Sequence, residues 1–334
     1  MTTRRFARQT VLPELGEAGQ RKLGASSVLI VGCGALGSHS AEILARAGIG
    51  RLFLVDRDVV EETNLHRVAL FTPRDVGRPK AEAAAEHLGL IAPTVSVTPH
   101  VAHLGADLAE ELVSQADIVL DGLDNLETRY LVNDVCVKHG VPWIYTAVLA
   151  TYGMTMPVLP EEGPCLRCLF PTPPTPGAVP TCAEAGILGP VPAALAALQA
   201  ASAMRILAGG RGHGRGRLVH LDLWTGQAEA TTVERGAGCL CCGERRFEFL
   251  ARRLSAVQLC GDSVQIVPGS RVALDLPDLA ARLGSLGRAR VAHGVLVVEV
   301  EGVLLTVFAD GRAIVKGVSD ARRAQALYDR YVAR

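Results

Sequence analysis

The stretch Ser27–Asp56, SVLIVGCGALGSHSAEILARAGIGRLFLVD, decides the fold. A short β-branched run leads into a glycine-rich turn, an apolar-periodic segment, a second apolar run and an aspartate, which predicts strand, helix and strand. Gly32 permits the tight turn, Gly34 lets a phosphate approach the backbone, and Gly37 lets the helix pack against the strand. Asp56 follows Gly37 by 19 residues, where a ribose hydroxyl would be bound. The stretch therefore predicts a nucleotide site without saying which nucleotide binds there.

Composition narrows the classes of protein to which the chain can belong. Its 334 residues suggest about two domains, and its 34 basic and 34 acidic side chains cancel, so no basic field is available for nucleic acid or an anionic membrane. The first ten residues, MTTRRFARQT, lack an apolar signal region, and we expect a cytoplasmic protein. The most apolar stretch, 190–210, contains Gln199, Ser202 and Arg205, which favours a buried or interface helix over a membrane span.

Strands and helices alternate up to about residue 150 and predict an α/β fold with a doubly wound, Rossmann-like, mostly parallel sheet. Ligands of such a sheet bind beyond the carboxyl ends of its strands. A proline-rich segment at about 169–189 predicts a mobile crossover loop. A small α+β unit begins at residue 251, so we expect two domains, 1–250 and 251–334.

Periodicity gives approximate bounds for the elements. The predicted helices are 14–23, 107–115, 126–139, 190–210, 276–283 and 319–331, with another beginning near Pro79. The predicted strands after the opening stretch are 95–98, 117–121, 142–146, 152–159, 217–223, 227–233, 264–267, 295–300 and 303–308. The strands 217–223 and 227–233 are expected to be antiparallel.

Nine cysteines in a chain without a secretion signal favour metal ligands, nucleophiles or core residues over disulfides. Cys165 and Cys168 form one C-x-x-C pair, and Cys239 and Cys242 form another. Two such pairs predict a closed tetrahedral zinc site, which is structural because four sulfurs leave no position for water. A redox dithiol is the alternative, and Cys241 is a less favoured substitute ligand.

The remaining cysteines stand alone. Cys182 lies in the proline-rich loop and is either an ordinary loop residue or an exposed thiol able to attack an activated acyl group. Cys33, Cys136 and Cys260 are expected to be small core residues, with Cys33 lining the glycine turn.

A second group of polar residues lies after the predicted strand ends. Asn64 and Arg67 are three residues apart, so one helical turn would point both the same way, and Lys80 lies near a helix start. Asp124 and Asn125 follow a buried strand by a short turn. Arginine and lysine neutralise phosphate charge and an aspartate binds Mg²⁺, so the group favours a triphosphate over a dinucleotide. A solvated loop with ordinary surface ion pairs is the alternative.

These residues resemble the motifs of the MoeB/ThiF adenylyltransferases, bacterial relatives of the ubiquitin-activating enzymes. The matching pieces keep the family's order and compatible spacing through residues 4–243: RFARQ (5–9), GCGALG (32–37), D-x-D (56–58), NLHR (64–67), GRPK (77–80), DGLDN (121–125), both C-x-x-C pairs and TCAEAG (181–186). His66 stands where relatives often carry glutamine. Residues 251–334 do not resemble a rhodanese domain or any other domain that we can assign.

The resemblance implies that ATP binds at the glycine turn and that the C-terminal carboxylate of a small Gly-Gly protein attacks its α-phosphate. It assigns the ribose to Asp56, the phosphates to Asn64, Arg67 and Lys80, and Mg²⁺ to Asp124, and it adds Asp58 and Asn125 to the ATP-binding residues. Arg8 would reach the triphosphate of the other subunit in a homodimer. Cys182 matches the loop cysteine that can join the carrier covalently in ThiF-like members and is dispensable for adenylation in MoeB-like members. The implied catalytic residues are Arg8, Arg67, Lys80, Asp124 and Cys182.

The expected partner is a ubiquitin-like sulfur carrier of the ThiS or MoaD type, serving thiamine, molybdopterin or tRNA thiolation. Without a rhodanese domain, sulfur would come from a separate donor such as a cysteine desulfurase or a rhodanese. Other interpretations stay open: activation of another ubiquitin-like protein or a short peptide, a non-catalytic nucleotide-binding zinc scaffold, and an NAD-dependent dehydrogenase, for which no hydride-transfer site is evident. The sequence identifies neither the carrier nor the role of residues 251–334.

Overall fold

A computed structural model describes residues 4–174, 182–210, 214–251, 256–258, 263–268 and 272–333. Contacts along the backbone divide the chain into two compact units. The first comprises Met1–Val76 and Lys80–Arg252, and the second comprises Arg253–Arg334 together with Gly77–Pro79. Each unit has a sheet and a hydrophobic core of its own.

The first unit alternates strands and helices. Its strands are β1 (Ser27–Val31), β2 (Arg51–Asp56), β3 (Ser96–Val101), β4 (Ile118–Asp121), β5 (Trp143–Leu149), β6 (Tyr152–Val158), β7 (Arg217–Asp222) and β8 (Gln227–Thr232). Its helices are α1 (Ala7–Thr10), α2 (Gly16–Ala25), α3 (Ala35–Ala47), α4 (Lys80–Ile91), α5 (Ala106–Val113), α6 (Leu126–His139), α7 (Leu166–Leu169), α8 (Cys182–Ala185) and α9 (Pro190–Ala208). Single 3₁₀ turns occupy Arg4–Phe6, Glu62–Asn64 and Pro73–Asp75.

The eight strands of the first unit form one sheet in the order β3-β2-β1-β4-β5-β6-β7-β8. Pairings from β3 to β5 are parallel, and pairings from β5 to β8 are antiparallel. Successive β1 side chains enter opposite cores: Val28 and Ile30 pack with α3 and α4, whereas Leu29 and Val31 pack with α5 and α6. The doubly wound, mostly parallel sheet predicted from the sequence is therefore confirmed.

The order of the strands determines where the candidate site lies. Because β2, β1 and β4 are neighbours and parallel, their carboxyl ends lie side by side. The glycine turn follows β1, Asp56 ends β2, and the segment 122–125 follows β4. Residues that are up to 93 positions apart (32 to 125) are thereby brought to one edge of the sheet.

Helix α9 packs against both helices and strands of the first unit. The elements that it contacts include α2, α3, β5 and β6, and its Gln199 is fully buried. Of the helices in the described ranges, α9 is the one that is long and apolar enough to cross a membrane by length and composition, and 44% of its apolar window is buried. These contacts agree with the buried or interface helix that the sequence predicts.

In the described residues, the second unit consists of one antiparallel sheet and two helices. It contains β9 (Ala256–Gln258), β10 (Ser263–Ile266), β11 (Ala289–Ala292), β12 (Val295–Val300), β13 (Val303–Phe308), β14 (Ala313–Lys316), α10 (Leu276–Leu283) and α11 (Ala321–Tyr331). The strand order is β11-β12-β13-β14-β10-β9. Leu279 of α10 and Leu327 of α11 share one core with Leu296, Leu305 and Val315, so both helices pack on the same face of the sheet. This is the α+β character expected from the sequence.

Candidate active site at the glycine turn

The three glycines of the turn after β1 meet different surroundings. Gly32 has a φ of +92°, and a Cβ there would overlap the carbonyl of Gly122. A Cβ on Gly37 would overlap the carbonyl oxygen of Gly32. A Cβ on Gly34 would meet no protein atom within 4 Å. Gly32 and Gly37 are thus required by the packing of the turn, whereas Gly34, at the N-terminus of α3, borders open space in which a phosphate would meet backbone N–H groups.

Asp56 fixes the turn to the end of β2. One carboxylate oxygen accepts a hydrogen bond from the Cys33 backbone N–H at 2.6 Å, and the other accepts one from Asp58 N–H at 2.7 Å. Burial raises the pKa of the Asp56 carboxyl, against the opposing effect of the Lys80 ammonium. The residue therefore lies at the glycine turn with both carboxylate oxygens already oriented by backbone N–H groups.

Lys80 begins α4 and faces the same acids. Its Nζ lies 3.3 Å from Asp58 Oδ2, and its backbone N–H donates to the Asp58 carbonyl oxygen at 2.9 Å. Burial acts to lower the pKa of the Lys80 ammonium, but the carboxylates of Asp58, Asp56 and Asp124 outweigh it, so the pKa is raised above its usual range. The site thus holds a permanent cation beside a cluster of carboxylates.

Asp124 and Asn125 form the β4 side of the site. Asp124 is half-exposed, and its carboxylate lies 3.8 Å from the guanidinium of Arg57. Asn125 caps helix α6, because its Oδ1 accepts from Thr128 N–H at 2.9 Å. Asp124 is therefore accessible to a ligand, while the Asn125 oxygen is already engaged.

Arg57 is a site residue that the sequence reasoning missed. Its side chain is 10% exposed, and it lies within 4.0 Å of Asp58 and 3.8 Å of Asp124. Its Nη1 lies 3.4 Å from His103 Nδ1 beyond the end of β3. The only signal in the sequence was its position between the two aspartates of the D-x-D motif, and that position does not reveal that the side chain crosses to β4.

Asn64 and Arg67 lie on one turn, as predicted, but their side chains have local partners. Asn64 Oδ1 accepts from Glu61 N–H at 3.2 Å, and Arg67 Nη1 donates to the Thr63 carbonyl oxygen at 2.7 Å. Arg8 is exposed on α1. No hydrogen bond or ion pair recorded among the described residues joins these three to Lys80 or Asp124, so their phosphate-binding roles stay predictions.

The four cysteines of the C-x-x-C pairs converge. Their Sγ atoms all lie within 4.8 Å of one another, with Cys165 at 3.6 Å from Cys239 and Cys168 at 3.4 Å from Cys242. A tetrahedral Zn²⁺ with bonds of about 2.3 Å would set its sulfurs about 3.8 Å apart. The residues therefore fit a closed zinc site, and Cys241 Sγ is outside the group of four.

The other cysteines have separate outcomes. Cys33 and Cys136 are buried, as predicted. The helix α8 begins at Cys182, but the side chain of Cys182 and the whole of Cys260 lie outside the described residues. Of the predicted crossover loop 169–189, the described parts are 169–174 and 182–189, and Gly186 and Leu188 hydrogen-bond to the backbone of Ala150.

Comparisons with known proteins agree with this arrangement. The model of the ThiF family matches residues 6–241. Sulfur carrier protein ThiS adenylyltransferase of Bacillus subtilis is 38% identical to the chain over 339 residues and covers 99% of both proteins. Sulfur carrier protein adenylyltransferase of Thermus thermophilus is 42% identical and covers 72% of this chain and 90% of its own. A solved structure of Escherichia coli MccB with ATP has a TM-score of 0.64 at 24% identity, covers 72% of this chain and 75% of that one, and shares the fold.

Proposed function

The chain belongs to the ThiF family, and on that ground we propose that it is an ATP-dependent adenylyltransferase that activates a ubiquitin-like sulfur carrier. The Bacillus subtilis and Thermus thermophilus relatives are named as adenylyltransferases of sulfur carriers. The acceptor is the C-terminal carboxylate of a ThiS- or MoaD-like protein that ends in Gly-Gly.

One observation carries the proposal: a buried lysine with a raised pKa lies among carboxylates beside an open glycine turn. A carboxylate and a triphosphate repel each other, so a fixed cation must offset their charges before they can react. Lys80 supplies that cation. Asp56 binds the ribose, and the N–H groups at the start of α3 bind phosphate beside Gly34.

The reaction is an in-line displacement at the α-phosphorus of ATP. A carboxylate oxygen of the carrier forms a bond to that phosphorus while the bond from the phosphorus to the oxygen bridging to the β-phosphate breaks. Pyrophosphate leaves with the electron pair, and an acyl-adenylate remains. Both reactants are ionised at neutral pH, so the site needs no general base, and its task is to position and to neutralise.

Two metals belong to the proposal in different ways. Asp124 is the residue that would hold Mg²⁺, which supplies charge neutralisation on the phosphates when it is bound. Arg57, at 3.8 Å, orients the Asp124 carboxylate. The four-cysteine site would hold Zn²⁺ in a structural role, since its ligands leave no open position.

Further elements of the proposal come from the family resemblance. Asn64 and Arg67 bind phosphate after turning from their local partners, and Arg8 reaches the site of the other subunit in a homodimer. The acyl-adenylate receives sulfur from a separate donor protein. Cys182 is the candidate for covalent attachment to the carrier. We also propose, independently of the resemblance, that the protein acts in the cytoplasm.

Exchange of radiolabelled pyrophosphate into ATP tests the proposal. The full chain should catalyse exchange only with ATP, Mg²⁺ and a ThiS- or MoaD-like carrier with an intact Gly-Gly end. A carrier lacking its last glycine is the matched control and should give no exchange. Three results would contradict the proposal: exchange at the same rate without the carrier, exchange with a short peptide alone, or no exchange with any carrier.

The change Asp124→Ala tests the magnesium assignment. Because Asp124 is half-exposed at the start of α6, its loss should abolish exchange while the thermal unfolding midpoint stays near that of the parent protein. Asp107→Ala, which removes an exposed aspartate at the start of α5, is the control and should keep full exchange. Near-normal exchange by Asp124→Ala would remove this residue from the role.

A further inference from the structure

Helix α6 carries one buried amide side chain that the proposed reaction does not use. Asn133 is fully buried. Its Oδ1 accepts a hydrogen bond from the backbone N–H of Leu166, the residue after Cys165, at 2.8 Å. Its Nδ2 donates to Cys241 Sγ at 3.2 Å. One side chain therefore contacts both segments that carry the metal-binding cysteines.

The second of these segments offers three thiols for two ligand positions. Cys239 and Cys242 contribute their Sγ atoms to the group of four that lie within 4.8 Å of one another, whereas Cys241 does not. Cys241 is nonetheless fully buried in the same cluster. The three thiols are chemically identical, so their surroundings must decide which two bind the metal.

We propose that Asn133 fixes the ligand set of the metal centre. It anchors the first cysteine loop through Leu166 N–H and holds Cys241 Sγ away from the ion, so that Cys239 and Cys242 bind. A side-chain amide can do both because it has an acceptor oxygen and a donor nitrogen, whereas an alkyl side chain has neither. Outer partners that orient ligands in this way typically contribute about 10–100-fold to metal affinity.

The neighbouring residue supports the same platform. Asp134 is fully buried, and its Oδ2 accepts from the backbone N–H of Phe249 at 2.8 Å. The Phe249 ring lies 4.7 Å from the ring of Tyr130, one turn earlier on α6. Helix α6 thus holds the chain after the second cysteine segment. Its Asp134 side chain also hydrogen-bonds to Cys241, so Asn133 and Asp134 both contact the thiol that is left out of the group of four.

Cobalt substitution of the full chain tests the ligand choice, since the visible spectrum of bound Co²⁺ reports how many thiolates coordinate it. The parent protein and Cys241→Ser should give the same four-thiolate spectrum. Cys242→Ser should give a three-thiolate spectrum. The double variant Asn133→Ala with Cys242→Ser should recover the four-thiolate spectrum, because the released Cys241 can replace the missing ligand. A three-thiolate spectrum of the double variant, or the loss of one thiolate in Cys241→Ser, would overturn the proposal.

A second measurement avoids the cavity that alanine would leave. Asn133→Leu keeps the number and branching of the side-chain heavy atoms but removes both hydrogen bonds, and competition with a chelator should show zinc affinity at least about tenfold weaker than in the parent protein. Val132→Ala truncates a buried alkyl side chain of the same helix and should leave the affinity within about twofold. Equal affinities of Asn133→Leu and the parent would overturn the proposal. Neither readout depends on adenylation, so the proposed function can fail independently.

Discussion

Gly34 and Gly37 belong to one motif, but adding a side chain at each position should have a different effect. Gly34→Ala places a methyl group in open space, so we expect an unfolding midpoint close to that of the parent and a KM for ATP raised about tenfold, which is about 1.4 kcal/mol. Gly37→Ala forces a methyl group onto the Gly32 carbonyl and should cost about 1–3 kcal/mol of stability. Thermal denaturation and ATP titration of exchange measure both. Equal loss of stability in the two variants would contradict the assignment of Gly34 to the phosphate.

Lys80 is expected to act through charge. Lys80→Met should lower kcat/KM for exchange about 100-fold or more, as loss of a preorganised electrostatic contact does, whereas Lys80→Arg should retain part of the activity. The acids around Lys80 raise its pKa, so the cation persists as pH rises through the usual lysine value of about 10.4. Below that pH, the rate of exchange should therefore depend on pH in the same way in the parent protein and in Lys80→Arg. A loss of exchange that the parent shows in this range and Lys80→Arg does not would contradict a permanent cation at position 80.

Single residues also show the limit of sequence reasoning. Asp56 lies at the end of β2 and Asp58 two residues later, as the D-x-D motif predicts, because the strand ends of a parallel sheet meet at one edge. Their roles in binding ATP stay predictions. The same reasoning missed Arg57. The motif does not show which neighbouring strand a side chain at the sheet edge points towards, because this depends on where that strand ends. It also could not foresee that Asn64 and Arg67 would bond within their own turn.

Among the elements, α9 is joined to the sheet by one polar side chain. Gln199 Nε2 donates to the carbonyl oxygens of Asp121 and Ile144, at 2.9 and 3.2 Å, and its Oε1 accepts from the Ser40 hydroxyl at 2.6 Å. Gln199→Leu leaves these buried groups without their partner and should cost about 2–4 kcal/mol. Ser202→Ala, on the same helix, should cost less than about 0.5 kcal/mol. Urea denaturation measures both, and similar midpoints would refute the structural role of Gln199.

The turn Pro73–Asp75 gives a pH prediction. Asp75 accepts hydrogen bonds from Thr72 N–H and from the His87 ring, at 2.8 and 2.9 Å. Burial acts to raise the pKa of Asp75, but these bonds, first from Thr72, outweigh it and lower the pKa below its usual value. The stabilisation is then complete above the unfolded-state pKa of about 3.9 and is lost as pH falls through the lower folded-state pKa.

Asp75→Asn should therefore destabilise the protein by about 1–3 kcal/mol at pH 7, and the difference from the parent should shrink as the pH falls below about 4. Urea midpoints measured from pH 7 to pH 3 give the comparison. Asp107→Asn, at an exposed aspartate, is the control and should show little difference at any pH. A difference that grows toward pH 3 would contradict the lowered pKa.

The bounds of elements with a long apolar pattern that ends at a glycine or a turn were predicted well. Several strands of only three or four residues were not predicted. The predicted bounds of α6, α10, β12 and β13 agree with the structure, because apolar periodicity or alternation persists over their length and glycines or turns end them. The strands β9, β11 and β14 have only three or four residues and exist through pairing with their neighbours. Strand β5 runs to Leu149, past the predicted end at 146, because β6 pairs with it along its whole length.

At the scale of the whole molecule, α6 connects features that are far apart in sequence. Its N-terminal cap is Asn125, beside Asp124 of the candidate active site, and its Asn133 contacts both cysteine segments. The 70-residue gap between the cysteine pairs is longer than that of a zinc finger, and this platform explains how the pairs meet. The sequence predicted the four ligands from spacing, but only the fold reveals the helix that presents them.

Residues 253–334 form a unit with its own core, and a relative that is named as an adenylyltransferase has no counterpart for much of it. The Thermus thermophilus relative covers 90% of its own length but 72% of this chain, so it has no counterpart for much of the remainder, whereas the Bacillus subtilis relative covers 99% of both. If the second unit is not needed for adenylation, a chain that ends at residue 251 should still bind zinc and should catalyse the proposed carrier-dependent exchange with a kcat close to that of the full chain. Loss of exchange by a folded, zinc-loaded truncation would show that the second unit takes part in the reaction.

The KM for the carrier then decides what the second unit contributes. If it docks the carrier, truncation should raise that KM and leave both kcat and the KM for ATP unchanged, because contacts made equally in the ground state and the transition state affect binding alone. Exchange at varied carrier concentration, with Gly34→Ala in the full chain as a control for weakened ATP binding, separates the two constants. An unchanged KM for the carrier in the truncated enzyme would exclude docking of the carrier by residues 253–334.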